Sequence, residues 1–251
     1  MRTMRNRFKN ICLVAGIGIP LCMLAVGIYI YFSLPDITSL KTHNPESTAL
    51  INQRIREARR SYKPYRIRQS WVSFDTIPQR FKDTIRITED AGFYQHHGID
   101  FVELKAAIKK NWEKGGYVRG GSTITQQLAK NLYLSTEKSI FRKINEYFIA
   151  KHLEANLSKH RIFNLYLNII ELGPGIFGVQ AASRYYFNKN VTELNLEEMI
   201  RLTAIIPRPL KIDPRGDDQW LKWKARWILD ALKRYEYISL DEHQSIINQF
   251  K

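Results

Sequence analysis

Between residues 11 and 34 the chain carries no charged side chain, and this 24-residue run is rich in Ile, Leu, Val, Ala and Gly. It is long enough to cross a hydrocarbon core of about 30 Å, and it predicts one transmembrane helix. Pro20 and three glycines in the run would weaken a helix in water, but membrane spans tolerate them where neighbouring groups take up the freed backbone. Arg2, Arg5, Arg7 and Lys9 precede the run without an acidic residue, so residues 1–10 read as a basic tail held in the cytoplasm by the positive-inside rule. Everything after residue 34 is then expected on the outer face. A cleaved signal peptide is the competing reading. Its apolar core usually spans about 7–15 residues, and no clear small-x-small cleavage site is present.

The content of 44% hydrophobic and 25% charged residues suits a globular domain behind that span and excludes disorder, collagen and coiled-coil fibres. Cys12 and Cys22, the two cysteines, both lie in the apolar run, which excludes a disulfide framework and a Cys-based zinc site. The net charge of +15 calls for a polyanionic partner: nucleic acid, an acidic lipid surface or a phosphorylated substrate. Subtracting the four charges of the tail leaves +11, so the outer part is basic in its own right. An outward-facing domain argues against nucleic acid. Residues 35–64, polar around 42–47, read as a linker and entry segment, and 65–251 as one domain.

From residue 100 onward apolar residues recur at helical spacing. Asp100 and Glu103 form a candidate capping box before Phe101, Leu104, Ile108 and Trp112, and Gly115-Gly116 stops that pattern. A second helix is predicted after Gly120-Gly121 with Ser122 as its cap, and a third from near Ser139 to Leu157. Segments 161–171, 178–187, 196–206, 218–235 and 241–250 also read as helices, with Asn195 and Glu198 capping one of them. Residues 65–75 alternate as a strand or extended arm would. The predicted fold class is mainly α.

Three segments hold residue types suited to chemistry. Glu89 and Asp90 stand before Phe93, His96, His97 and Asp100, so one carboxylate could be a general base, or the pair could be a solvated acid couple at a helix end. A metal on His96, His97 and Asp100 is the weaker reading, because adjacent histidines seldom converge on one ion. In the segment from Gly120 to Asn131, Thr123, Gln127 and Lys130 share one helix face within about 60°, while Ile124, Leu128 and Leu132 line the opposite one. Gly120-Gly121 leading into a helix N-terminus is a natural anion site, although an ordinary amphipathic surface helix has the same pattern. Arg142 and Glu146 lie four apart among Phe141, Ile144, Tyr147, Phe148 and Ile149. A charged pair in so apolar a helix belongs in a core or along a cleft, and a cleft costs less.

Taken together, Glu-Asp-x-x-Phe-x-x-His-x-Gly at 89–98, Gly-Gly-Ser-Thr-Ile-Thr-Gln-Gln-Leu-Ala-Lys-Asn at 120–131 and Arg-Lys-x-x-Glu at 142–146 resemble, in order and spacing, the signature motifs of peptidoglycan glycosyltransferases. Residues 161–168 resemble a fourth family stretch, departing from it at His160, Phe163 and Asn164, and Gly175 to Gly178 with Ala181-Ala182 continue it. The likeness covers roughly residues 65–210, and the length suits the monofunctional members, which lack a transpeptidase domain.

The resemblance implies a lysozyme-like, two-lobed domain behind one anchor in the bacterial inner membrane, facing the periplasm. It implies polymerisation of lipid II onto a lipid-linked glycan strand, by inverting transfer with release of undecaprenyl pyrophosphate. Glu89 would be the general base and Asp90 would orient the site. Lys130 and Arg142 would hold the pyrophosphate, and Glu146 would be the second catalytic carboxylate. Ser122, Thr123 and Gln127 would bind sugar or phosphate, with Phe93 and His96 shaping the cleft. The resemblance leaves room for one cofactor, a divalent cation, Mg or Mn, at the pyrophosphate, although the sequence holds no dedicated protein cage for a metal. Membrane lipids and other cell-wall synthesis proteins are the further partners expected. A lytic transglycosylase or lysozyme-like hydrolase is the main alternative, but it acts on glycan without phosphate and has little use for Lys130 and Arg142. A non-catalytic cell-wall scaffold is the other, although it need not keep Glu89 or Lys130.

Overall fold

Side-chain caps set where most helices begin, because a Ser, Thr, Asp or Asn oxygen satisfies an amide that the first helical turn leaves unpaired. Thr48 starts α1 (Ala49–Arg60), Asp100 starts α3 (Phe101–Glu113), and Ser139 starts α5 (Ile140–Asn156). Ser158 does the same for α6 (Lys159–Ile169) and Asp218 for α9 (Gln219–Arg234). Full capping boxes open α4 (Ile124–Tyr133), α8 (Leu196–Ile205) and α10 (Leu240–Ile247). Two further helices, α2 (Gln79–Glu89) after Pro78 and α7 (Val179–Phe187) after Gly178, begin without a side-chain cap. The chain is mainly α, as its periodicity predicts.

This computed structural model describes residues 34–115, 120–137 and 139–250, with six isolated positions between 18 and 32. The basic tail and nearly all of the expected membrane span therefore lie outside the described residues. No helix among the described residues is long and apolar enough to cross a membrane.

The structure differs from the sequence expectations in four places. Thr123, not Ser122, caps α4, and Gln126 completes the box by accepting the Thr123 amide at 3.0 Å. Helix α1 stands where a linker is expected. Arg54 on it forms a two-point pair with the buried Glu171, at 2.8 and 2.7 Å, which ties the helix to the sheet. Helix α2 has no Ser, Thr, Asp or Asn cap to announce it, yet Phe81, Ile85 and Ile87 bury one of its faces. Residues 65–75 contribute only β1 (Arg68–Gln69) and then a 3-10 turn at Phe74–Thr76. Strand β1 runs parallel to β3 (Ile176–Phe177), and β2 (Glu171–Gly173) pairs antiparallel on the other side of β3.

Helices α1, α5 and α6 pack on α4, while α2, α9 and α10 form a second group with α8. Helix α7 touches α6, α8 and all three strands and so links the groups. On α4, Ile124 and Leu128 are fully buried, as its amphipathic pattern predicts, each worth about 1.5–3 kcal/mol of burial. Gly178 has φ +81°, and a Cβ there would lie 2.5 Å from the Asn168 carbonyl oxygen, so the step from β3 into α7 demands glycine. His160, Phe163 and Asn164, the departures on α6, keep the helix intact. Phe163 stacks between Phe74 and Phe93, His160 lies 4.1 Å from the Phe74 ring, and Asn164 Oδ1 accepts from Asn168 at 2.9 Å.

Helix α3 leaves most of its apolar side chains uncovered. Ala107 is its one buried residue, whereas Val102 is 79% and Trp112 87% exposed, with Phe101 and Ile108 also outward. The start of α5 behaves similarly, with Phe141 80% exposed beside Ile140.

Candidate active site

Glu89 is the last residue of α2, which delivers its carboxylate from the second helix group toward α4 of the first. Gln127 Nε2 donates to Glu89 Oε2 at 2.8 Å, and Tyr166 Oη donates to Gln127 Oε1 at 3.1 Å. The fully buried Tyr166 thus fixes which end of the Gln127 amide faces the carboxylate. Burial pushes the Glu89 pKa up. The Gln127 hydrogen bond and the charges of Lys224 and Lys130 draw it back down, and Asp90 pushes it up again. A carboxylate held above its ordinary range is a stronger base than one in water.

Asp90 belongs to the scaffold of this corner. Its Oδ2 accepts the Ile124 amide at 3.0 Å, at the first turn of α4, and its Oδ1 meets His96 Nε2 at 2.9 Å. Asp90 therefore fixes α4, and with it Gln127 and Lys130, relative to Glu89. The structure gathers Asp90, His96 and Asp100 within 4.8 Å of one another, whereas His97 is exposed and apart from them. Most of those atoms already have protein partners, with His96 Nδ1 the exception, buried without a hydrogen-bond partner. Asp100 Oδ1 caps α3 through the Glu103 amide at 2.8 Å, so the cluster fits a structural hub better than a metal cage.

A second centre lies on α5. Glu146, 2% exposed, accepts from Arg142 Nη1 at 2.7 Å and from Lys143 Nζ. Arg142 Nε also donates to the Glu137 carbonyl at 2.6 Å, which fixes the guanidinium plane. Lys143 reaches Ser122 Oγ at 3.0 Å, so exposed Ser122 sits at the edge of this cluster. Lys130 joins the two centres. Burial pushes its pKa down, Glu146 raises it, Arg142 and Lys143 lower it, and Glu89 raises it. Lys130, Arg142 and Lys143 against Glu146 leave an excess of positive charge suited to a polyphosphate.

Two expected contact residues are committed to the fold. The Thr123 hydroxyl donates to the Gly98 carbonyl at 2.5 Å and accepts the Gln126 amide. Phe93 is fully buried between Phe163 and Tyr94, so its ring is part of the core and does not face a ligand. Conversely, Lys224 on α9 escapes a reading by motif. Its charge acts on Glu89, burial pushes its pKa down, and its Nζ lies 4.0 Å from the Trp227 ring centre. The sequence offers no local sign of this, because 135 residues separate the lysine from its carboxylate.

Residues 55–233 match the family described as Transglycosylase. The Biosynthetic peptidoglycan transglycosylase of Methylobacillus flagellatus is 38% identical over 218 residues, which are 87% of this chain and 95% of that protein. Its counterpart in Dechloromonas aromatica is 42% identical over 186 residues, covering 74% and 80%. Penicillin-Binding Protein 1A from Haemophilus influenzae aligns with a TM-score of 0.42 at 20% identity, over 73% of this chain and 18% of that one. The family match takes in Glu89, the α4 face, the α5 cluster and Lys224 alike, and the chain belongs to the transglycosylase family.

Proposed function

We propose that this enzyme polymerises lipid II into peptidoglycan strands by inverting glycosyl transfer. The acceptor's 4-hydroxyl attacks the anomeric carbon of the lipid-linked donor. The new C–O bond forms as the bond to undecaprenyl pyrophosphate breaks, and the hydroxyl proton passes to Glu89. The observation that carries this reading is a carboxylate of raised pKa beside a cluster in which three cations face one carboxylate. A hydrolase of phosphate-free glycan would use the first and leave the second idle.

In this reading a neutral sugar hydroxyl becomes a competent nucleophile only as Glu89 takes its proton. Gln127 aims the carboxylate. Lys130 and Arg142 hold the pyrophosphate and stabilise the charge that grows on it, so the leaving group departs without an acid. Ser122 lies within reach of the same anion. Glu146 keeps Arg142 and Lys143 in place, and it is the carboxylate that would hold a Mg or Mn ion, which would add positive charge to stabilise the leaving group. The test is the full chain in detergent with labelled lipid II, with and without the phosphoglycolipid moenomycin. Glycan polymer that the inhibitor suppresses is expected. Cleavage of preformed glycan with no polymer from lipid II would establish the hydrolase instead.

The reading extends to a two-lobed, lysozyme-like domain at the outer face of the inner membrane, with residues 11–34 as its span. The exposed Val102, Ile108 and Trp112, interleaved with Lys105, Lys109 and Lys110, suit an interface with anionic lipid, where each lysine contributes about 1 kcal/mol. A chain lacking residues 1–34 is expected to bind anionic liposomes in a salt-sensitive way, and Ile108→Ser with Trp112→Ser should weaken that binding. Unchanged binding by the folded double variant would remove α3 from the membrane contact.

A further inference from the structure

Sharing no residue with the candidate site, a pocket of about 430 Å³ opens between β1 and α7, lined by Arg66, Arg68, Gln69, Ser70, Arg184 and Tyr185. That volume lies within the roughly 300–1,000 Å³ of ligand sites. No carboxylate lines it. Among the described residues Arg66 and Arg68 have no ion-pair partner, and the Arg184 guanidinium donates only to the neutral Asn190 Oδ1, at 3.2 Å. Arg215 stands over the same tyrosine at 5.9 Å, but its charge is matched by Asp213 at 2.7 Å. Tyr185 is 44% exposed, and the Arg68 guanidinium lies 5.0 Å from its ring centre.

The geometry is specific to this chain's backbone. The Arg68 amide donates to the Gly175 carbonyl at 2.7 Å, and a Cβ on Gly175 would come within 2.2 Å of the Arg66 carbonyl oxygen. The β1 wall is therefore locked to the turn before β3. Gln69 Nε2 donates to the Asn168 carbonyl at 3.0 Å, and Asn168 Oδ1 accepts the Val72 amide at 2.9 Å. Asn168 is two residues along α6 from Tyr166, which holds Gln127 on Glu89. The pocket and the cleft thus share one buried helix.

An aromatic face flanked by guanidiniums fits a sugar ring whose appended peptide carries a carboxylate. The ring's C–H face stacks on tyrosine while the planar guanidinium binds the carboxylate at two points. We propose that this pocket binds carboxylate-bearing units of the glycan strand outside the catalytic cleft. The proposal rests on the polymerase reading for the identity of its ligand, since the strand's peptide-substituted sugars supply such carboxylates. A bound strand held there leaves the growing end tethered between additions, which favours long products.

The test uses the full chain in detergent and lipid-free peptidoglycan oligomers with free peptide carboxylates, the same oligomers after amidation, and phosphatidylglycerol vesicles. The unaltered chain is expected to bind the free-carboxylate oligomer about tenfold or more tightly than the amidated one. Arg68→Ala with Arg184→Ala should abolish that preference and shorten the strands made from lipid II, with the initial rate of lipid II consumption unchanged. Arg184→Glu, a change on an exposed helix position, should weaken oligomer binding without disturbing the sheet. Equal affinity for both oligomers, or unaltered preference in folded variants, overturns the proposal. Loss of vesicle binding in the variants with oligomer binding intact also overturns it and assigns the pocket to a lipid headgroup. Absence of polymer from the unaltered chain would reject the polymerase reading instead, and the binding arms would still judge the pocket.

Discussion

Glu89→Gln is expected to lower lipid II turnover by about 10²-fold or more while lipid II still binds, the loss typical of removing a positioned base. Polymer at the unaltered rate would sink the assignment. The same carboxylate predicts a pH profile. Because burial raises its pKa, the acid limb of kcat/KM should lie above the ordinary carboxylate range, and Lys224→Met should move it higher by removing a charge that favours ionisation. The stability effect runs the other way. A pKa higher in the folded than in the unfolded chain means that the folded state is penalised as pH rises through the folded value. Glu89→Gln should therefore raise Tm at neutral pH, and the gain should vanish in acid. A Tm that falls at neutral pH would show that Glu89 holds the fold rather than straining it.

Arg142→Ala and Lys130→Ala should each reduce transfer from lipid-pyrophosphate donors by roughly 10²-fold, as loss of one donor to a developing anion does. Binding of phosphate-free glycan should change far less. Arg142→Lys is an informative control, because a lysine keeps the charge but cannot bridge Glu146 and the Glu137 carbonyl from one plane. Equal losses for phosphorylated and phosphate-free ligands would refute the donor role.

The parts of this molecule legible in its sequence are those written locally. Caps such as Asp100, Ser139 and Asn195 mark helix starts within a residue, because the amide they satisfy is three positions away. The α4 face carrying Gln127 and Lys130 follows from helical angle alone. Other parts depend on distant partners. Phe93 reads as a cleft aromatic, but its burial is decided by Phe163, 70 residues later. Thr123 reads as a ligand contact, but Gly98 takes its hydroxyl. Helix α1 reads as linker, since two buried residues, Leu50 and Ile51, and the Arg54–Glu171 pair hold a helix otherwise rich in arginine and polar side chains.

The position of Lys130 between Glu89 and the α5 cluster has a consequence for timing. An anion arriving at Lys130 and Arg142 cancels part of the positive potential that Glu89 experiences, so its affinity for a proton rises when the donor arrives. On the proposed mechanism, departure of the pyrophosphate would reverse the change and help the spent base shed its proton. On that mechanism one lysine would act as an electrostatic interlock: the base would be strongest with a donor in place and weaker once the leaving group has gone, so an acceptor arriving alone would meet a weaker base.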